Sequence, residues 1–352
     1  MSNNAMLLIL VCSFSFLQMD CKDDPPVVPP IIPPDSTSQE FAIQVFEVGA
    51  PHTFQITRDV WVFDKNNIWV VGDFYFSDST VSGGTRESNI IRWDGKKWHQ
   101  FGGILNSSGI YGITFINDLI GFLSLGGIIK IDNNTLIPQS LSGLTSNPNH
   151  SIRKIWASSE SNVWGVGLDG FVVHYDGTSW KKLNFPEGWN FGKVIGTASS
   201  KYVYANATDF SNPGGSYITE IRLDTVILLN KAPEFDAVTD LYFINDTTLL
   251  SVGYSLRMVN ITTGKDTFIA SFGNDVPNKL AFQSERDYFV LSKNYITGKS
   301  SFRHYNGKRF TKIVLPAEME DVSFRGSHAS NNVFAFVGDA DNGKSVILLL
   351  TR

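Results

Sequence analysis

Cysteine is nearly absent from this chain, and the two present, Cys12 and Cys21, both fall within its first 21 residues. Everything after them can hold neither a disulfide nor a cysteine-ligated metal. Charge is sparse as well: charged residues make up 18%, and a formal net charge of -5 leaves no basic footprint for nucleic acid. The one long apolar run, residues 5–17 (AMLLILVCSFSFL), is too short to span a bilayer as a helix. The signatures of common chemistry are missing too. The six histidines (His52, His99, His150, His174, His304 and His328) include no H-x-x-x-H pair. There is no P-loop, no G-x-S-x-G elbow and no G-x-G-x-x-G after a strand. Asp339-Ala340-Asp341-Asn342-Gly343 departs from a calcium loop, its glycine one residue early and no acidic twelfth ligand following, so it reads as a polar turn. No metal, no cofactor and no catalytic residue is expected.

Aromatics, by contrast, are plentiful, at 13% with 8 Trp and 26 Phe, and 30 Gly supply turns. A hydrophobic content of 42% over 352 residues is enough for a sizeable core. Short apolar runs broken by Gly, Asn and Asp argue for all-β structure.

At the N-terminus, residues 1–20 have the length and apolar centre of a secretion signal, although no Lys or Arg precedes the run. Cys21 then opens a Pro-rich stretch, residues 21–40, whose composition keeps it extended as a tether. Signal, cysteine and spacer in that order resemble a bacterial lipoprotein, and Lys22-Asp23-Asp24 resembles the surface-export signal of Bacteroidetes lipoproteins. The residues before the cysteine are Gln18, Met19 and Asp20, where that family carries a small residue. The resemblance implies acylation of Cys21 and a surface-exposed place on the cell envelope. The alternative is a secreted protein with Cys21 unmodified.

From residue 41 onward the chain repeats. Trp61 and Trp69 are eight residues apart, as are Trp156 and Trp164. Asn67-Ile68-Trp69-Val70-Val71-Gly72 matches Asn162-Val163-Trp164-Gly165-Val166-Gly167, and Trp93-Asp94-Gly95-Lys96-Lys97-Trp98 matches Tyr175-Asp176-Gly177-Thr178-Ser179-Trp180. His304-Tyr305-Asn306-Gly307-Lys308-Arg309-Phe310 repeats the second motif with Phe in place of Trp. Gly72, Gly167, Gly253 and Gly338 are spaced as pairs of units, each unit about 40–50 residues, the length of a propeller blade. Seven units begin near Asp59, Ile110, Ile152, Phe191, Ala237, Asn278 and Met319, with six or eight still open. The last unit has only three strands, and residues 41–48 (FAIQVFEV) offer a spare one that would close the ring. The pattern VWxVG…HYDGxxW resembles the repeat of bacterial extracellular β-propellers, which implies four-stranded antiparallel blades round a central channel over residues 41–352. Asp-Gly in the repeat suits a hairpin turn. Trp69, Trp98, Trp164 and Trp180 read as packing residues of the blades.

Candidate site residues are therefore sought among those the repeat does not need. In propellers the loop between second and third strands shares a face with the link between blades. Three sets of residues fall there: Phe74, Tyr75, Phe76 and Arg86 in the first unit; Phe210 and Tyr217 in the fourth; and Trp189 in the link before it. Aromatic faces near Asn and Arg suit a sugar ring or a protein hot spot. A second candidate is the channel, with Asp59, Lys154, Asp240 and Asp321 lining it and Arg58, Arg153, Lys193 and Lys279 nearby, either as a solvated wall or as a seat for a small polar ligand. The expectation is a monomeric binding module for a glycan or protein partner, touching membrane only through its lipid anchor. A glycan-active hydrolase or lyase and an envelope assembly scaffold are the rival readings.

Overall fold

The computed structural model describes residues 37–50, 55–101, 109–197, 201–210, 215–233 and 236–352. The signal, Cys21 and most of the tether lie outside the described residues. From Ser36 onward the chain is one compact unit. It forms seven four-stranded antiparallel sheets, spanning residues 56–101, 112–139, 152–183, 189–231, 240–270, 275–313 and 323–351 with 42–48, called blades 1 to 7 here. The only helical turn among the described residues is the 3-10 segment Ala317–Met319. In blades 1 to 6 the strand first in sequence is innermost, in blade 7 it is Ser323–Ser330, and these inner strands touch in sequence round to the start, so the sheets form a closed ring.

Closure depends on the chain's two ends. Ala42–Val48 pairs antiparallel with Ser345–Thr351, from Ala42 opposite Thr351 to Val48 opposite Ser345, and supplies the fourth strand of blade 7. The segment before it docks on blade 6. Gln39 hydrogen-bonds His304 at 2.8 Å, and Phe41 packs edge-on against Phe289 and His304, each at 4.9 Å. Arg352, at the other end, pairs with Asp287, which also holds His304.

The core is divided into seven clusters, and each is shared by two blades. Trp69 and Ile90 of blade 1 meet Ile113 and Leu123 of blade 2, and Trp164 of blade 3 meets Phe191 and Ala205 of blade 4. Blades 6 and 7 share a phenylalanine cluster of Phe289, Phe302, Phe334 and Phe336. The middle strands are buried on both faces, which is why they read as unbroken apolar runs such as Ile68 to Val71.

The repeat residues take up the positions a blade needs. Trp69 and Trp164 are fully buried, and each indole N–H donates to the asparagine two residues earlier, Asn67 at 3.1 Å and Asn162 at 2.8 Å. The same asparagine oxygens accept from the third strand, Arg92 at 3.0 Å in one blade and His174 at 2.9 Å in the other. In the hairpins, Asp94 accepts the N–H groups of Lys96 and Lys97, both at 2.8 Å, and Gly95 takes a φ of +89°. Trp98 packs on Phe46 of blade 7, and Trp180 joins the cluster between blades 2 and 3. The spaced glycines lie where two backbones nearly touch: a Cβ on Gly167 would stand 1.7 Å from the Ser151 carbonyl oxygen, and one on Gly72 2.1 Å from that of Ile56.

Two expectations need correction. Phe74 is wholly buried in the cluster between blades 1 and 7, because its strand runs on to Ser77 and continues the blade. Asp321 is exposed in the turn before the strand Ser323–Ser330, and Gly326 takes the channel position foreseen for it.

Candidate functional site

The channel is shaped by a defect repeated round the ring. In five blades the inner strand carries a register shift near its start, between Thr57 and Asp59, Ile152 and Lys154, Phe191 and Lys193, Pro277 and Lys279, and Phe324 and Gly326. A bulge leaves one residue out of the ladder and re-aims its side chain. The residues so released are Arg58, Arg153, Gly192, Asn278 and Arg325. They stand at the mouth on the face that carries the links between blades, here the upper face.

Three of the five are arginines, and they adjoin one another across blades 7, 1 and 3, with Tyr111 of blade 2 between the last two. The Arg58 guanidinium lies 4.3 Å from the Tyr111 ring centroid and that of Arg153 lies 3.7 Å from it, so both cations lie against the one ring. Arg58 is paired with Asp73 at 2.9 Å and Arg325 with Asp339 at 2.8 Å. Asp339 also accepts the Thr57 N–H at 2.7 Å, so the turn it begins has its first carboxylate already engaged. Arg153 has no carboxylate partner among the described residues, and its Nε is buried without a hydrogen bond. An open depression of about 580 Å³ runs from Arg153 past Asn149, Asp169 and Asn190.

One residue further along each inner strand is a ring of Asp59, Gly112, Lys154, Lys193, Asp240, Lys279 and Gly326. Lys154 reaches across blade 2 to Asp59 at 2.7 Å and also donates to the Tyr111 carbonyl at 3.1 Å. It can do so because Gly112 is bare: a Cβ there would already lie 3.3 Å from the Lys154 side chain. Lys193 lies 3.5 Å from Asp240, which also accepts the Leu280 N–H at 3.2 Å. Burial pulls the Lys193 pKa down, but Asp240, Tyr242 and Asp59 outweigh it and hold the ammonium above its ordinary range. Lys279 has no such pairing; its Nζ donates to the Thr239 carbonyl at 3.3 Å, and burial holds its pKa below the ordinary value.

Asp59, Lys154 and Lys193 of the ring also line a cavity of about 200 Å³ that carries several aromatic side chains. Trp61 is stacked on His328 at 4.3 Å, and Trp156, Phe115 and Tyr242 are the other aromatics of the lining. His328 Nδ1 accepts the Val62 N–H at 3.2 Å. Burial, helped by Lys193 and opposed by Asp59, depresses its pKa to about 4 and keeps it neutral. Trp61 and Trp156 were legible only as rulers of the repeat. The signal that places them in the channel is alternation, since each lies two residues beyond Asp59 or Lys154 and so on the same side of its strand.

The loop candidates fall in two groups on opposite parts of the ring. In blade 4, Trp189 stacks on Tyr217 at 5.3 Å and 12°, and the Phe210 N–H donates to the Gly188 carbonyl, so these three are brought together. Phe210 is 65% exposed, whereas Tyr217 is buried. In blade 1, Phe76 packs against the same cluster as Phe74. Arg86 pairs with Asp78 at 2.7 Å, and Tyr75 is half-buried with its hydroxyl pKa raised by burial and by Glu87 and Asp73. No group of three or more His, Cys, Asp or Glu suited to a metal occurs among the described residues.

Seven four-stranded blades round a channel place this chain in the β-propeller class. No protein-family model and no curated protein matches its sequence. Solved structures do resemble it. One described as YCF48 bound to D1 peptide has a TM-score of 0.63 at 12% identity, over 91% of this chain and 99% of that one. The WD40 β-propeller domain of Doa1 has a TM-score of 0.58 at 13% identity, over 88% and 97%. A chain of a mitotic checkpoint complex has 0.61 at 11%, over 100% and 99%. At these identities the likeness is one of fold.

Proposed function

We propose that this chain is a cell-envelope lipoprotein whose propeller binds a partner protein through the upper rim of its channel, without catalysing a reaction. The observation that carries the proposal is Arg153, a guanidinium stacked on Tyr111 with no carboxylate to neutralise it among the described residues. Arg58 and Arg325 continue the rim on one side of it, each already paired with an aspartate, so the unbalanced charge is that of Arg153 and the matching partner surface is an acidic segment. A protein is favoured over a glycan because Trp189 already lies against Tyr217 and Phe74 is buried, which leaves few aromatic faces for a sugar ring. The peptide bound to the similarly folded YCF48 supports the same choice. Catalysis is disfavoured by the state of the channel carboxylates, since Asp59 and Asp240 each already hold a lysine. The lipoprotein part rests on the order of signal, Cys21 and Pro-rich tether in the sequence.

Acidic and neutral peptide arrays probed with the purified protein provide the test. Binding should favour acidic peptides, weaken with salt, and fall roughly tenfold or more in Arg153→Ala, the loss expected for a charge-assisted contact. Affinity unchanged in Arg153→Ala would remove the rim from the site, and glycan binding lost with Phe210→Ala and Trp189→Ala would favour the sugar reading. Labelled palmitate should enter the chain and be lost in Cys21→Ser.

A further inference from the structure

The channel ring carries an imbalance that the rim does not use. Its two carboxylates, Asp59 and Asp240, face three ammonium groups, Lys154, Lys193 and Lys279, and two bare positions, Gly112 and Gly326. Asp59 is satisfied by Lys154 at 2.7 Å and the Val60 N–H at 3.1 Å. Asp240, almost wholly buried, is satisfied by Lys193 and the Leu280 N–H. Lys279 is left with one backbone carbonyl at 3.3 Å. Lys279 is only partly exposed, and a partly buried cation without a paired carboxylate is costly, so one added anion would balance the ring. Solvent does reach this level, since the side chains of Lys154 and Lys193 remain 23% and 26% exposed. Lys154, Lys193 and Asp59 line a cavity they share with Trp61, Trp156 and His328, about 200 Å³, smaller than the roughly 300–1,000 Å³ of sites for drug-sized ligands, and Lys279 stands outside that lining but within electrostatic reach of both lysines and both carboxylates.

We propose that the channel binds a small monocarboxylate with a flat apolar body, its carboxylate among Lys154, Lys193 and Lys279 and its ring between Trp61 and Trp156. One negative charge matches the ring's single excess positive charge. Neutral His328 adds no further charge, and its stack on Trp61 presents an aromatic wall to the body of the ligand. A cation would add to the excess charge, and a neutral ring would leave Lys279 without a partner. The same chemistry is offered by a free aromatic acid and by the terminal residue of a polypeptide ending in Phe.

The purified full chain is titrated with benzoate, benzamide, acetate, and a short peptide ending in Phe with its carboxyl group free or amidated. Tryptophan fluorescence and thermal shift are the readouts. Benzoate should saturate and raise the melting temperature, benzamide should bind at least tenfold more weakly, and acetate should fall well below benzoate. Lys279→Met should lose at least tenfold in benzoate affinity while the ligand-free protein melts at the same temperature or higher. The contrast between benzoate and benzamide in the unaltered protein stands even if that variant does not fold. Tight binding of the free-carboxyl peptide but not its amide assigns the seat to a polypeptide end, and binding of benzoate alone assigns it to a free acid. Equal responses to benzoate and benzamide, no saturable response, or acetate binding as tightly as benzoate would overturn the proposal.

Discussion

Asn162 illustrates how much one repeat residue does at the scale of a side chain. Its oxygen accepts from both Trp164 and His174, which fixes the buried indole and leaves His174 Nδ1 enclosed with no partner. Burial, opposed only in part by Asp176, lowers the His174 pKa to about 4. The unfolded chain binds that proton near pH 6.5 and the native state does not. Stability is therefore fully present above about pH 6.5 and is lost as pH falls towards 4. The share belonging to His174 comes to roughly 2 kcal/mol at pH 5. Denaturant titrations at pH 7 and pH 5 should show this loss in the unaltered protein, reduced by about that amount in His174→Gln. His328, shifted in the same direction, loses stability over the same window and sets the slope that remains.

Among the elements, Ala42–Val48 has a role out of proportion to its exposed sequence. It pairs on one side only, yet it covers the edge of Ser345–Thr351 and brings Phe46 against Trp93 and Trp98 of blade 1. A chain beginning at Gly49 would lose that strand and the Phe41 and Gln39 contacts ahead of it. Relative to a chain beginning at Thr37, it should be less stable by on the order of 3 kcal/mol, from the burial of two phenylalanines alone. The bared edge should also pair with copies of itself. Denaturant midpoints and light scattering would read both effects, and a monomer of unchanged stability would show that ring closure does not depend on this strand. The inner strands matter in a different way. Their bulges separate rim residues such as Arg58 and Arg153 from ring residues such as Asp59 and Lys154, turning neighbours in sequence to different levels of the channel.

For the whole molecule, the decisive feature is that each of the seven core clusters spans two blades. A blade removed from the ring would expose two clusters at once, and no blade has a core of its own. The described ring should therefore melt as one unit, with calorimetric and van't Hoff enthalpies equal. Two separable transitions would show that some blades fold independently.

The sequence by itself determined the repeat, the strand that closes the ring, and the packing tryptophans. The repeat and its tryptophans are held by bonds within a blade, such as Trp69 with Asn67, and by turns such as Asp94-Gly95, which local spacing records, and the closing strand follows from the one strand the last unit lacks. It also pointed to Asp59, Lys154 and Asp240 by their common place before an inner-strand position. Only the tertiary structure decided what faces the channel. Asp321 misses the channel because the chain from the helical turn at Ala317–Met319 reaches its inner strand only at Ser323, and the ring position two residues before His328 falls to Gly326. Phe74 is claimed by packing with blade 7, on a strand nearly 280 residues away in the chain. The excess charge at Lys279 exists only once seven inner strands bring their ring residues to one level. That arrangement is a property of closure, and no single repeat contains it.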